Sequence, residues 1–219
     1  MKRDYTFTNG KKLQIGTMYC IGKNYADHAK EMGGNVPKDP VVFIKPPAAY
    51  VADKGKIHIP DFSNNVHHEV ELVIIIGKDC NDIPPTEARD HIAGYAVGID
   101  VTLRDIQSEA KEKGKPWTVS KAFVTSAPIS DIIPAEEFGD NIPYFDIALE
   151  VNGQLKQKGN TKDMARPAEA LISYLSKVFT LQKGDCIFTG TPKGVGQIRS
   201  GDEIHCSLND KMSLNVSVK

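Results

Sequence analysis

The sequence predicts a strand-rich α+β fold. Three observations carry that expectation: short β-branched runs recur along most of the chain, an Asn152-Gly153 pair joins two strand-like segments, and one stretch, 166–179, stands out as the longest helix. Residues 14–21 read as a strand, 24–32 as a short helix and 41–45 as a strand stopped by Pro46-Pro47. The run 70–76 is β-branched and nearly all apolar, which suits a buried strand; it ends at Gly77 and the turn-forming 81–85. Residues 94–101 form a second buried strand, after which Thr102 is expected to cap a helix over 103–110. Residues 145–151 alternate with period two and pass through Asn152-Gly153, the signature of a type I′ hairpin, into 154–157. Ala170, Leu171, Tyr174, Leu175 and Val178 repeat at helical spacing, and Pro167 is tolerated in the first turn. Segments 186–189, 203–208 and 212–218 complete the strands.

The composition of the 219 residues, with 40% hydrophobic residues and no linker-like break, fits one domain with a sizeable core. The expectation is an N-terminal extension over 1–13 and a core over 14–219. A net charge of −1 supplies no basic field, so nucleic acid is not an expected partner. Cys20, Cys80, Cys186 and Cys206 are scattered and fit reduced thiols. No stretch is apolar for the length of a membrane span, and a cytoplasmic location is expected.

Glu69 and Glu71 sit two apart at the start of the 70–76 run, so strand alternation points both to one face. Two ionised carboxylates beside an apolar run are costly unless a cation compensates them. Asp100 ends the second buried run and adds a third carboxylate. Three oxygen ligands without a thiolate favour Mg²⁺ or Mn²⁺, with positions left open for water or substrate. His67 and His68 precede the first of them; alternation puts His67 on the face of Glu69 and Glu71, while a supporting role suits His68, and the sequence does not decide between them.

His28 and Glu31 lie three apart on the short helix, close enough to hydrogen-bond; such a pair can activate water, with Glu31 fixing the imidazole tautomer. The glycine-rich stretch Gly190-Thr191-Pro192-Lys193-Gly194-Val195-Gly196 matches neither a phosphate loop nor a dinucleotide fingerprint. It reads as a turn whose hydroxyls and N–H groups could hold a carboxylate.

Six motifs in order, from Ile21-Gly22-Lys23-Asn24-Tyr25-Ala26-Asp27-His28 through Phe43-Ile44-Lys45-Pro46, His68-Glu69-Val70-Glu71, Asp100-Val101-Thr102-Leu103-Arg104-Asp105 and Lys115-Pro116-Trp117-Thr118-Val119-Ser120-Lys121 to Thr189-Gly190-Thr191-Pro192-Lys193-Gly194, resemble the fumarylacetoacetate hydrolase family, in particular its small acylpyruvase-like members. The resemblance implies a mixed β-sandwich roll, a homodimer, and Mg²⁺ (or Mn²⁺) held by Glu69, Glu71 and Asp100. It implies a 2-oxo acid substrate and Lewis-acid stabilisation of an enolate, with Lys121 offsetting carboxylate charge and facing the substrate. Arg104, Gln107 and Thr191 would orient the substrate carboxylate, and Lys45 would shape the pocket floor. The leading activity it implies is hydrolysis of acylpyruvates, with His28 as base. Decarboxylation or keto–enol tautomerisation of oxaloacetate uses the same enolate, as does isomerisation or decarboxylation of unsaturated 2-oxo diacids. A scaffold that binds a 2-oxo acid or oxalate without turnover is the non-enzymatic alternative.

Overall fold

The computed structural model describes residues 3–219. Its centre is a six-stranded mixed sheet in the order Ile133–Pro134, Ile92–Ile99, Val70–Ile76, Cys186–Phe188, Met18–Gly22, Val41–Lys45. A second sheet of five strands, in the order Gln154–Asn160, Asp146–Val151, Glu203–Leu208, Met212–Val218, Lys56–Ile57, packs across Val70–Ile76 and Ile92–Ile99. The expected strand-rich α+β class holds.

Strand alternation splits the core in two. Leu72, Ile74, Ile76, Val97 and Ile99 face the second sheet and meet Ile147, Leu149, Ile204, Cys206, Leu214 and Val216, joined by Leu171, Ile172 and Leu175 of the helix Ala168–Phe179. Val73, Ile75 and Ala96 point the other way, into a cluster with Met18, Cys20, Ile129, Cys186 and Phe188. Glu71 is in step with Val73 and Ile75, so it belongs to this second face, where the core gives way to a polar cleft. Full burial of a Leu or Ile contributes about 1.5–3 kcal/mol, so the apolar layers on both faces hold the polar cleft in a stiff frame.

Asn152 and Gly153 adopt φ 53° and 73°, the backbone that a type I′ hairpin requires. The helix begins at Ala168 with Pro167 at its N-cap. Two expectations are corrected. The segment 14–21 is not one strand: Lys12–Gln14 pairs with Asp4–Thr6, while Met18–Gly22 enters the large sheet. The chain breaks at Gly16, where a Cβ would stand 2.3 Å from Asp185 Oδ1. Nor does Thr102 cap the following helix. Thr102–Leu103 is a short strand paired with Val66–His68, the helix runs Arg104–Glu112, and its N-cap is Leu103 without a side-chain bond. The Thr102 hydroxyl is taken by the cleft instead. Among the described residues no helix is long and apolar enough to cross a membrane.

Candidate active site

The antiparallel ladder between Val70–Ile76 and Ile92–Ile99 pairs Val70 with Ile99 and Glu71 with Gly98. It continues one step further: the Asp100 N–H donates to the Glu69 carbonyl at 2.8 Å, so Glu69 and Asp100 stand opposite each other where both strands end. Each of the three side chains Glu69, Glu71 and Asp100 offers a carboxylate oxygen within 4.8 Å of the others, and all three are buried.

Three buried cations lie against these acids. Lys121 Nζ donates to Glu69 Oε2 at 2.8 Å, Asp100 Oδ2 at 2.6 Å and Thr102 Oγ1 at 2.6 Å, which uses all of its hydrogens. Arg104 donates through Nη2 to Glu69 Oε1 and through Nη1 to Gln107 Oε1 at 2.7 Å. Lys45 lies under Asp100, 2.9 Å from Oδ1, and donates to the carbonyls of Val101, Lys121 and Ser126. Lys45 is therefore not a substrate contact: it is fully buried, has no hydrogen to spare and does not line the cleft.

The acids do not share these cations equally. Burial works against the charged form of Glu69, but Lys121 and Arg104 outweigh it and hold its carboxyl well below the usual range. Burial likewise opposes the charge on Lys121, and Asp100 and Glu69 outweigh it, so its pKa is raised. Glu71 goes the other way. Burial, then Asp100 and Glu69, push its pKa well up, and one hydrogen bond, from the Gly190 N–H at 2.6 Å, offsets them in part. The turn at Gly190, with φ 102° and a Cβ position 2.7 Å from Asn24 Cβ, thus holds a carboxylate as its donors allow, and the carboxylate is the chain's own. An uncompensated buried acid in a triad of oxygen donors is what a divalent cation would satisfy, so the donor set fits the metal that the sequence implies.

The remaining expected residues gather around a small cleft lined by His28, Glu69, Glu71, Asp100, Arg104, Gln107, Lys121 and Thr191. The helix Ala26–Glu31 covers it, with His28 Nδ1 3.2 Å from Glu31 Oε2. Glu31 also accepts from the Gly194 N–H at 3.1 Å, and Asp27 pairs with Lys193 at 3.0 Å, so this helix is tied to the segment after Thr191. Neither His67 nor His68 belongs to the acidic cluster. His67 bonds Asn65 at 2.9 Å, and its pKa is pushed down to about 4 by burial and by Arg104.

His68 leads to a residue that the sequence reasoning missed. Gln157, buried on the strand Gln154–Asn160, accepts at Oε1 from the Val70 N–H at 3.0 Å and lies 2.8 Å from His68 Nδ1. Its Nε2 donates to Thr191 Oγ1 at 2.8 Å and to the Pro192 carbonyl at 2.9 Å. One amide therefore locks the strand carrying Glu71 to the loop carrying Thr191. Strand alternation gave no signal for it, because Leu155, in the same phase of this strand, is exposed. Gln157→Ala strands the Val70 N–H and the Thr191 hydroxyl, and thermal unfolding is expected to show a loss of about 1–3 kcal/mol; a change under 0.5 kcal/mol would remove Gln157 from this role.

Comparison with known proteins gives the same picture. The family model for the fumarylacetoacetate (FAA) hydrolase C-terminal domain matches residues 17–219. The chain is 43% identical over 201 residues to the mitochondrial oxaloacetate tautomerase FAHD1 of Homo sapiens, covering 91% of this chain and 90% of that protein. It is 46% identical over 190 residues to the oxaloacetate tautomerase YcgM of Escherichia coli K12, with 87% of each covered. Among solved structures, fumarylpyruvate hydrolase from Pseudomonas aeruginosa in complex with Mn²⁺ and pyruvate is 37% identical, with a TM-score of 0.94 over 99% of this chain and 95% of that one. Family model, long identities and shared architecture together show that this chain belongs to the fumarylacetoacetate hydrolase family.

Proposed function

We propose that this protein is a Mg²⁺- or Mn²⁺-dependent enzyme that interconverts the keto and enol forms of a 2-oxo acid, with oxaloacetate as the first candidate. The observation that carries this reading is the buried triad Glu69, Glu71 and Asp100 lining one cleft with His28, in a chain 43–46% identical to oxaloacetate tautomerases. A divalent cation held by the triad would act as a Lewis acid toward the carboxylate and 2-oxo oxygens of the substrate.

The chain's own groups divide the remaining work. With its hydrogens committed to Glu69, Asp100 and Thr102, Lys121 serves as a fixed positive charge and not as a base. His28 lines the cleft with Nδ1 held by Glu31, which leaves Nε2 to carry the proton between C3 and the enol oxygen. Gln107 Nε2 and the Thr191 hydroxyl orient the carboxylate. Arg104 acts through Glu69 and Gln107, since both of its terminal nitrogens are already engaged by them. The domain works as one catalytic unit and, as the resemblance implies, as a homodimer.

Hydrolysis of acylpyruvates is the second reading. The same His28–Glu31 pair would take its proton from water instead of C3, and the likeness to a fumarylpyruvate hydrolase holding pyruvate favours it. NMR of oxaloacetate and acetylpyruvate in parallel, with Mg²⁺ and with chelator, separates the two. Mg²⁺-dependent enol exchange in oxaloacetate supports the tautomerase; acetate and pyruvate from acetylpyruvate without that exchange overturn it in favour of the hydrolase.

The metal assignment has its own check. Mg²⁺ is expected to raise the melting temperature of the wild type and not that of Glu71→Ala. Because Glu71 keeps its proton in the folded metal-free protein to a higher pH than in the unfolded chain, its contribution to stability falls as pH rises between those two values. Binding a cation must expel that proton, so the melting shift grows with pH and calorimetry in buffers of different ionisation enthalpy shows proton release. A shift equal in Glu71→Ala and wild type would remove Glu71 from the ligand set.

A further inference from the structure

Two cations at the mouth of the cleft take part in none of the ion pairs above. Lys23 follows the strand Met18–Gly22 in a left-handed conformation, φ 58°, unusual for a residue with a side chain. Its ammonium is packed toward the turn that ends the covering helix: a Cβ at Gly34 would stand 3.1 Å from Lys23 Nζ. Lys111 reaches over from the helix Arg104–Glu112, with Nζ 5.2 Å from the ring centroid of Trp117. Both line the same cleft as Glu69, Glu71 and Asp100. Among the described residues neither ammonium has a carboxylate within salt-bridge distance.

Charge explains what they await. In the inner site the ion pairs join two acids, Glu69 and Asp100, to three bases, Lys45, Lys121 and Arg104, and Glu71 has no cation of its own. A divalent cation adds two positive charges, and the carboxylate at the 2-oxo end of a substrate removes one. Lys23 and Lys111 bring two more at the outer end. The crowding of positive charge acts on Lys111 itself: desolvation and then the charges of Arg104, Lys23 and Lys121 lower its pKa. Only a ligand with a second negative group at its far end relieves it.

We propose that Lys23 and Lys111 form a subsite for the distal carboxylate of a 2-oxo diacid, and that they select dianionic over monoanionic substrates. This deepens the reading given above and rests on it. Oxaloacetate carries such a carboxylate and acetylpyruvate, ending in a methyl ketone, does not. Pyruvate supplies the same 2-oxo end with nothing beyond C3.

The test compares Lys23→Met, Lys111→Met and the double variant with wild type, all Mg²⁺-loaded, in steady-state kinetics on oxaloacetate and acetylpyruvate. The double variant is expected to raise KM for oxaloacetate by roughly 10–100-fold more than for acetylpyruvate, the weight of one or two charge-assisted contacts. Lys111→Arg should restore most of the difference, and added salt should weaken oxaloacetate in the wild type alone. Thermal shifts with pyruvate and with oxaloacetate accompany the kinetics. If the wild type turns over neither substrate, the catalytic reading fails, yet a larger shift with oxaloacetate than with pyruvate that the double variant abolishes still upholds the subsite. Equal preference for the two acids in wild type and double variant, in KM or in melting shift, overturns it and leaves two solvated lysines.

Discussion

His28→Ala lowers kcat by about 10²–10⁴-fold, the usual weight of a positioned acid–base group, while Mg²⁺ still raises the melting temperature. The expectation follows from the division of labour around the cleft. Lys121 and Lys45 are locked into carboxylates, carbonyls and a hydroxyl, and Arg104 is committed to Glu69 and Gln107. His28 is the cleft-lining imidazole, the side-chain type that most often moves protons in such sites. Its single recorded partner, Glu31, fixes Nδ1 and leaves Nε2 for the reaction. Glu31→Gln should cost less than the loss of His28, because orientation survives and only the charge behind the ring is lost. Steady-state kinetics within threefold of wild type for His28→Ala would end its assignment as the base, whichever of the two reactions the protein catalyses.

Lys45→Met is expected to have the largest effect on stability, about 3–5 kcal/mol, because it leaves a buried acid and several buried carbonyls without their cation. For a chain of this size that corresponds to roughly 10 °C in melting temperature. Methionine fills similar space, so the loss reports charge and hydrogen bonding and not a cavity. Asp100 keeps Lys121 at 2.6 Å and the Ser126 carbonyl keeps the Val101 N–H at 3.0 Å, but the Val101 carbonyl, 3.2 Å from Lys45 Nζ, has nothing in exchange. Mg²⁺ should recover part of the loss by restoring positive charge beside Asp100. A melting temperature within 2 °C of wild type would show that the ammonium is dispensable.

Much of this site was legible in the residues, for identifiable reasons. Strand period two aligned Glu69 with Glu71, and the ladder register then set Asp100 opposite Glu69. Spacing on one helix brought His28 to Glu31. The depth of Lys45 was not legible, because a charged residue at a strand end is normally solvated, whereas this one is buried by partners more than fifty positions away. The local sequence at Thr102 fits a helix cap; the cation that claims its hydroxyl, Lys121, is distant in sequence. Gln157 could not be recognised for a related reason: its partners Val70, His68, Thr191 and Pro192 become neighbours only when a strand of the second sheet reaches the first.

The central sheet contains one pairing with consequences for how the protein is made. Met18–Gly22, near the start of the chain, lies between Val41–Lys45 and Cys186–Phe188, and the latter pairing is parallel. During synthesis the ribosome must pass residue 188 before that flank of the earlier strand can be covered. Until then Met18, Cys20 and Ile21 present an apolar, half-paired edge, the kind of surface on which nascent chains associate wrongly. Parallel closure over so long a loop is also intrinsically slow. Slowed elongation just ahead of the codons for Cys186–Phe188, or a shortage of chaperone capacity, should therefore reduce the yield of folded protein more sharply than the same disturbance placed ahead of Met18.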